Sequence, residues 1–343
     1  MSSTEVQVLT PAWTQRWDEF VEACPQATFY HRAGWKEVIE KAFGHRTYYL
    51  FTESRGKVTG ILPLGHVKSR LFANALISTP YCMYGGIAAR DEVAFAKLES
   101  AACSLARELK VDYLELRNRE ARHPDWPTKQ LYVMFSKALD PDPEKNLLAI
   151  PRKQRAMVRK GINAGLQSEF EQTTDRFYSV YSQSYRSLGT PVFSRAYINL
   201  LREVFKDSCD VLTITHKGEL VSSVLSFYFR DEVIPFYAGG TDQARRLKGN
   251  DFMYWELMRR SCDRGCRVFD FGRSKQGTGS YSFKKNWGFE PSVLHYEYFL
   301  VRAKRMPDLS PTNPKYRFFI NLWKRLPLSI TRVIGPLIAR QLG

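Results

Sequence analysis

Apolar residues in this chain alternate in short runs, then recur at helical spacing, and that order occurs twice. From His45, "HRTYYLFTESRGKVTGILPL" reads as two β-rich runs about a glycine turn at Gly56. From Cys209, "CDVLTITHKGELVSSVLSFYF" follows the same plan, with its turn at Gly218. Aromatic runs closed by paired glycines come next, "YCMYGGIAAR" with Gly85 and Gly86 and "IPFYAGGTDQ" with Gly239 and Gly240. Both are predicted as strands, and the extra residues before the first of them, "KSRLFANA", as a loop. Each copy continues with an amphipathic helix, "DEVAFAKLESAACSLARELK" or "NDFMYWELMRRSCDRG", and a short strand closing on arginine, "VDYLELRNR" or "CRVFDFGRS". Helical sequence precedes each hairpin, "RAGWKEVIEKAF" in the first copy and "DRFYSVYSQSYRSLG" in the second.

Repetition of one strand–helix–strand plan identifies a tandem repeat. The expected fold class is α/β of the α+β type: two tandem modules, each a mixed central sheet flanked by helices, and a tail. Acidic residues and prolines in "LDPDPEKN" place the boundary so that the modules run 1–145 and 146–302. The tail, 303–343, passes through "MPDLSPTNPK" into the basic amphipathic "YRFFINLWKRLPLSITRVIGPLIARQLG".

Charge narrows the partners. A net charge of +16 favours a polyanion, whether tRNA, a nucleotide-linked sugar or an anionic membrane face. The six cysteines form no CxxC pair and the six histidines no cluster, so no metal site is expected. The opening residues lack a basic stretch followed by an apolar core, and no apolar run reaches the ~18 residues of a spanning helix. The expected location is the cytoplasm, with the tail either an interfacial helix pair on the inner membrane or packed back on the body.

This order of elements resembles the GNAT acyltransferase fold. Two such modules, the second ending on "DFGRSKQGTGSYSFKKNWGFEP", resemble the FemAB family of peptidyl and aminoacyl transferases, and more narrowly the FemAB-related proteins associated with exosortase/PEP-CTERM exopolysaccharide systems. The resemblance covers roughly residues 15–302 and is sharpest at "FYAGG", "RRLKGNDFMYWE" and Asp270 to Pro291. It implies transfer of an acyl or aminoacyl group onto an amine or hydroxyl of a cell-envelope saccharide or peptide precursor, with the second module catalytic. No tightly bound cofactor is implied, and the donor is left between aminoacyl-tRNA and acyl-CoA. The helical hairpin that helps grip tRNA in the best-known members has no counterpart here. In the CoA-type loop Arg246 and Gly249 are in register as phosphate contacts, but Asp251 stands where a small residue belongs and would repel phosphate. An acetyl-CoA-dependent N-acetyltransferase acting on an amino sugar, and a non-catalytic scaffold for envelope or nucleic acid, stay open as alternatives.

Candidate site residues follow from these motifs. In the family pattern the lysine at Lys284 neutralises charge at the donor ester, where a fixed cation is worth several kcal/mol. "YSFKKNW" is read as a strand, with Lys284 facing the site and Lys285 solvent. Asp270 is the candidate site acid or the partner orienting Arg273, and the Tyr237 hydroxyl a candidate donor to the acyl carbonyl. Arg273, Ser274, Gly277 and Gly279 form a loop suited to an anion, with Trp287 beside them as a substrate contact. Phe193 and Arg195 lie where acceptor recognition is expected. Arg152, Arg155 and Arg159 share one helical face as a phosphate-binding strip.

Overall fold

The computed structural model describes residues 5–69, 74–307 and 314–341. Each of its two sheets contains a tight hairpin. Arg46–Ser54 pairs with Lys57–Lys68 across Arg55 and Gly56, whose φ angles are 51° and 75°. Cys209–His216 pairs with Glu219–Phe229 across Lys217 and Gly218, at 52° and 81°. Positive φ at both loop positions is the type I′ geometry, whose twist matches that of the strands.

The first compact unit holds residues up to Tyr132 together with 293–307. Its strands run, from one edge, Val6–Val8, Arg46–Ser54, Lys57–Lys68, Asn74–Ser78, Tyr113–Asn118, His295–Leu300 and Thr128–Lys129. The second unit holds 133–292 and the helices that follow 313. Its order is Gln167–Phe170, Cys209–His216, Glu219–Phe229, Glu232–Gly240, Val268–Lys275, Tyr132–Ala138 and Pro291–Val293. In each sheet the fourth and fifth strands are parallel. A parallel neighbour needs a crossover, supplied by the helices Glu92–Glu108 and Gly249–Asp263. The repeat is therefore one topology used twice, as the hairpin and helix patterns indicated.

The sixth strand of each sheet comes from the other copy's sequence. Tyr132–Ala138, which follows the first module's arginine strand, lies beside Val268–Lys275, and His295–Leu300 pairs antiparallel with Tyr113–Asn118. The chain thus changes unit at 132/133 and again at 292/293, not at the expected 145/146 and 302/303. Proline and acid punctuation at 139–146 marks a helix start, Pro143–Ala149, inside the second unit. A further correction concerns Gly85 and Gly86, which end no strand. Asn74–Ser78, within and just after the expected loop, takes that place, and Thr79 and Tyr81 at φ 44° and 69° turn the chain away behind it.

Each unit has its own core. Leu50, Leu62, Leu64, Leu76, Leu98 and Leu114 form the first, and Phe135, Leu212, Val224, Leu257, Phe269 and Trp287 belong to the second. Helix Asp175–Leu188 crosses the second sheet so closely at Gly239 that a Cβ there would stand 2.8 Å from the Val180 carbonyl oxygen and 2.9 Å from Tyr181 Cα. Both obstacles are backbone and cannot rotate away. Gly239→Ala should cost ~1–3 kcal/mol by overpacking, read from urea unfolding. Gly279→Ala, with nothing within 4 Å of its Cβ position, should change stability by under ~0.5 kcal/mol.

Candidate active site

Two strands of the second unit separate almost as soon as they meet. Glu232–Gly240 and Val268–Lys275 are in register at Glu232↔Val268 and Val233↔Phe269, the whole of their pairing among the described residues, yet both run several residues further. The cause is written into each strand. Pro235 has no N–H to donate, and Phe236 is an extra residue against Glu219–Phe229, where Ser226 opposes Pro235 and Leu225 opposes Tyr237. Such a bulge bends its strand and re-aims the next side chain, here Tyr237. In the other strand Gly272 takes φ 74°, and its N–H donates to the Asp270 carboxylate at 2.8 Å. Beyond the last pair, Tyr237 stands on one strand and Arg273 and Ser274 on the other.

Lys284 fixes the second of these strands. The segment expected as a strand is the helix Gly279–Asn286, capped by the Thr278 hydroxyl, which accepts from the Tyr281 N–H. Lys284 is buried and its Nζ donates to the carbonyl oxygens of Gly272 and Arg273, both at 3.0 Å. The rings of Phe271 and Phe135 lie 5.4 and 5.7 Å from Nζ. Burial pushes the Lys284 amine down to about 7, while the charge of Asp270 acts in the opposite direction. Lys285 is exposed. The contrast between the two lysines arises from helical rotation, not from strand alternation, and Lys284 stands behind the site strand instead of on an exposed edge. Asp270 is likewise buried, within the turn that it closes. Trp287 is 0% exposed and donates its indole N–H to Asp251 at 3.3 Å, so it belongs to the core and touches no substrate.

Tyr237 is surrounded by rings, of which the sequence pointed to Phe193 and passed over the three tyrosines. Tyr181, Phe193, Tyr197 and Tyr185 lie 5.4, 5.8, 6.2 and 6.4 Å from it between centroids. Its hydroxyl is 3.2 Å from that of Tyr197. The helix Asp175–Leu188 presents Tyr178, Tyr181 and Tyr185 on one face, and this i, i+3, i+7 spacing in "YSVYSQSY" was the available signal. Burial pushes the Tyr185 phenol up to about 12, with the neighbouring Tyr181 hydroxyl and the charge of Arg273 acting the other way. Tyr185 therefore lies beside Tyr237 and feels the charge of Arg273. Phe193 belongs to this group; Arg195 does not, being exposed, paired with Asp175 and 4.9 Å above the Tyr178 ring.

The remaining expected contacts lie elsewhere. Gly249 is buried, where a Cβ would stand 2.4 Å from Val221 Cγ1, so packing and not phosphate approach requires glycine there. Arg246 is exposed on the preceding short helix, Asp242–Leu247. Asp251 does not face outward to repel an anion: it accepts hydrogen bonds from Gln154 and Trp287, and burial raises its pKa. Arg152 and Arg159 are exposed on the helix Arg152–Asn163, whereas Arg155 donates to the Leu148 carbonyl at 2.6 Å. Gly277 and Gly279 border open space, and the buried Ser274 hydroxyl has no hydrogen-bond partner among the described residues. In the first unit the repeat counterpart of Arg273, Arg117, is 5% exposed and committed to Glu115 at 2.7 Å and the Cys82 carbonyl at 2.9 Å. Among the described residues no group of His, Cys, Asp and Glu is disposed to hold a metal ion.

Comparison with known proteins agrees with this fold. Residues 152–285 match the family model "Acetyltransferase (GNAT) domain". FemX superposes with a TM-score of 0.65 at 13% identity, covering 92% of this chain and 100% of its own. L-PGS from Bacillus licheniformis gives 0.57 at 13%, over 98% and 99%. A tandem GNAT protein from the clavulanic acid biosynthesis pathway gives 0.51 at 13%, over 86% and 98%. No curated protein matches the sequence. The fold is the tandem GNAT arrangement.

Burial of Lys284 has a consequence for pH. Its ordinary value is 10.5 and its folded value about 7. Between these the unfolded chain binds a proton that the folded chain releases, so the wild type should gain stability as pH rises through that window. Lys284→Met removes this gain. Its unfolding free energy relative to wild type should be most favourable near pH 6 and fall steadily towards pH 10. The slope is the readout, since loss of the two carbonyl bonds adds only a constant offset. Parallel pH profiles for the two proteins would show that Lys284 is solvated.

Proposed function

We propose that the protein is an acyltransferase whose second unit moves an acyl or aminoacyl group onto an amine or hydroxyl of an anionic cell-envelope saccharide or peptide precursor. The observation that carries this reading is the parting of Glu232–Gly240 from Val268–Lys275, with Tyr237 and Arg273 on the separated ends. In the reaction the acceptor lone pair bonds to the acyl carbon, the bond from that carbon to the donor oxygen or sulfur breaks, and the acceptor proton passes to the leaving group or solvent. Negative charge gathers on the acyl oxygen, where the Tyr237 hydroxyl would donate. Arg273 would meet an anionic group of donor or acceptor as a planar fork. Lys284 acts as a positioning residue by holding the carbonyls of Gly272 and Arg273.

The test uses the full chain with radiolabelled acetyl-CoA or labelled aminoacyl-tRNA and an extract of envelope precursors. Label should enter a stable product from one of the two donors. Tyr237→Phe should lower kcat about 10²-fold, the usual loss for one donor to a developing oxyanion. Arg273→Ala should chiefly raise KM for the anionic substrate, and Lys285→Ala should leave both constants within about twofold, as for an exposed charge without a partner in the reaction. Transfer from neither donor would favour the scaffold reading, and transfer indifferent to Tyr237 would remove that hydroxyl from the reaction.

A further inference from the structure

The tail helices, Pro314–Arg325 and Leu328–Ala339, each have two unlike faces. One face is seated on the second unit. Trp323, Thr331, Gly335 and Ala339 are buried, and the Arg332 guanidinium donates to the Ser182 hydroxyl at 2.9 Å. Ile320 lies so close to Gly189 that a Cβ there would meet its Cγ2 at 2.6 Å. The tail therefore packs back on the body. Its other face is nonetheless apolar and open to solvent, with Phe319, Val333 and Leu337 65%, 71% and 61% exposed and Leu322, Ile330 and Ile334 beside them in sequence at helical spacing. On the second helix these are positions i, i+3, i+4 and i+7, a continuous stripe.

We propose that this stripe rests on the surface of an anionic lipid bilayer, with the tail lying in the interface. Charge selects that occupant. Lys324 and Arg325 are exposed at the junction of the helices, and no acidic residue follows Asp308. A second copy seated on the same patch would bring like charges together with no carboxylate from the tail to neutralise them. Anionic headgroups supply the missing charge, and acyl chains accept the apolar side chains. Each helix has 12 residues, and no described helix is long and apolar enough to cross a membrane, so the tail lies on the bilayer and does not span it. The proposal is independent of the acyl-transfer reading, because it rests on a surface that shares no residue with Tyr237 or Arg273.

Co-sedimentation of the full chain with vesicles tests it. Vesicles of phosphatidylglycerol mixed with phosphatidylcholine should pellet the protein, and pure phosphatidylcholine vesicles should pellet at least tenfold less. Val333→Glu with Leu337→Glu should reduce binding to the mixed vesicles at least tenfold. Both side chains are exposed, so circular dichroism and melting temperature should be unchanged. Lys324→Glu with Arg325→Glu should remove the preference for anionic vesicles. Failure to pellet with either vesicle overturns the proposal. So does a dimer, seen by light scattering, that the Val333/Leu337 variant dissolves while vesicle binding is absent. Equal binding of wild type and both variants would also overturn it.

Discussion

Adjacent carbonyls in a regular strand point to opposite edges, so one side chain cannot ordinarily reach both. Lys284 reaches those of Gly272 and Arg273, with Gly272 in the left-handed region at φ 74°. A side chain at that position would be strained, and a straight strand would give the amine only one acceptor. Where a parallel pair stops pairing, the backbone groups it releases need other partners. Lys284 and the Asp270 carboxylate supply them from within the core, by donating to two carbonyls and accepting one N–H. The course of the strand that carries Arg273 past its last pair therefore depends on a buried lysine.

Exchange of the sixth strands imposes a second constraint. His295–Leu300 brings Glu297 into the first unit at 0% exposure, where an unpaired carboxylate would be severely unfavourable. Burial alone would raise its pKa. Bonds from His123, at Nδ1 and the backbone N–H, and from the Arg122 N–H outweigh that and hold it below the ordinary carboxylate range. Asn118 donates to it as well, at 2.6 Å. Four donors arranged about one carboxylate fix the register of the incoming strand, because a one-residue slip would turn Glu297 to the other face of the sheet and leave them unsatisfied.

Local pattern carried most of the fold and less of the site. The I′ hairpins, the crossover helices and the arginine-ended strands were legible because turn residues and 3.6-residue spacing are local signals. Strand exchange was not, since nothing in "YVMFSKA" records which sheet it joins. Asn74–Ser78 was lost because its five residues are too few for alternation to show. The segment from Tyr281 to Trp287 misled for a related reason: seven residues with aromatics at 281, 283 and 287 fit both a strand and two turns of helix. Residue type drew attention to Lys284, Arg273 and Tyr237, but orientation is not a property of residue type. Asp251 and Trp287, assigned to opposite roles from sequence, turn out to be hydrogen-bonded to each other in one core.

Comparison of the two copies isolates what makes one of them a candidate site. Their strand orders correspond, and each places an arginine near the end of its fifth strand. In the first unit that strand pairs with its parallel neighbour at Ala75, Leu76 and Ile77, and Arg117 faces the buried Glu115 two residues earlier. In the second unit pairing ends sooner, and the residue two before Arg273 is Phe271, which offers no charge. The second fold places its acidic residue, Asp270, three residues before Arg273 and across the Gly272 turn, where its carboxylate accepts the Gly272 N–H. The Gly272 turn closed by that carboxylate, together with the Phe236 bulge, distinguishes the strand pair that parts early from its counterpart in the first unit on an otherwise shared architecture.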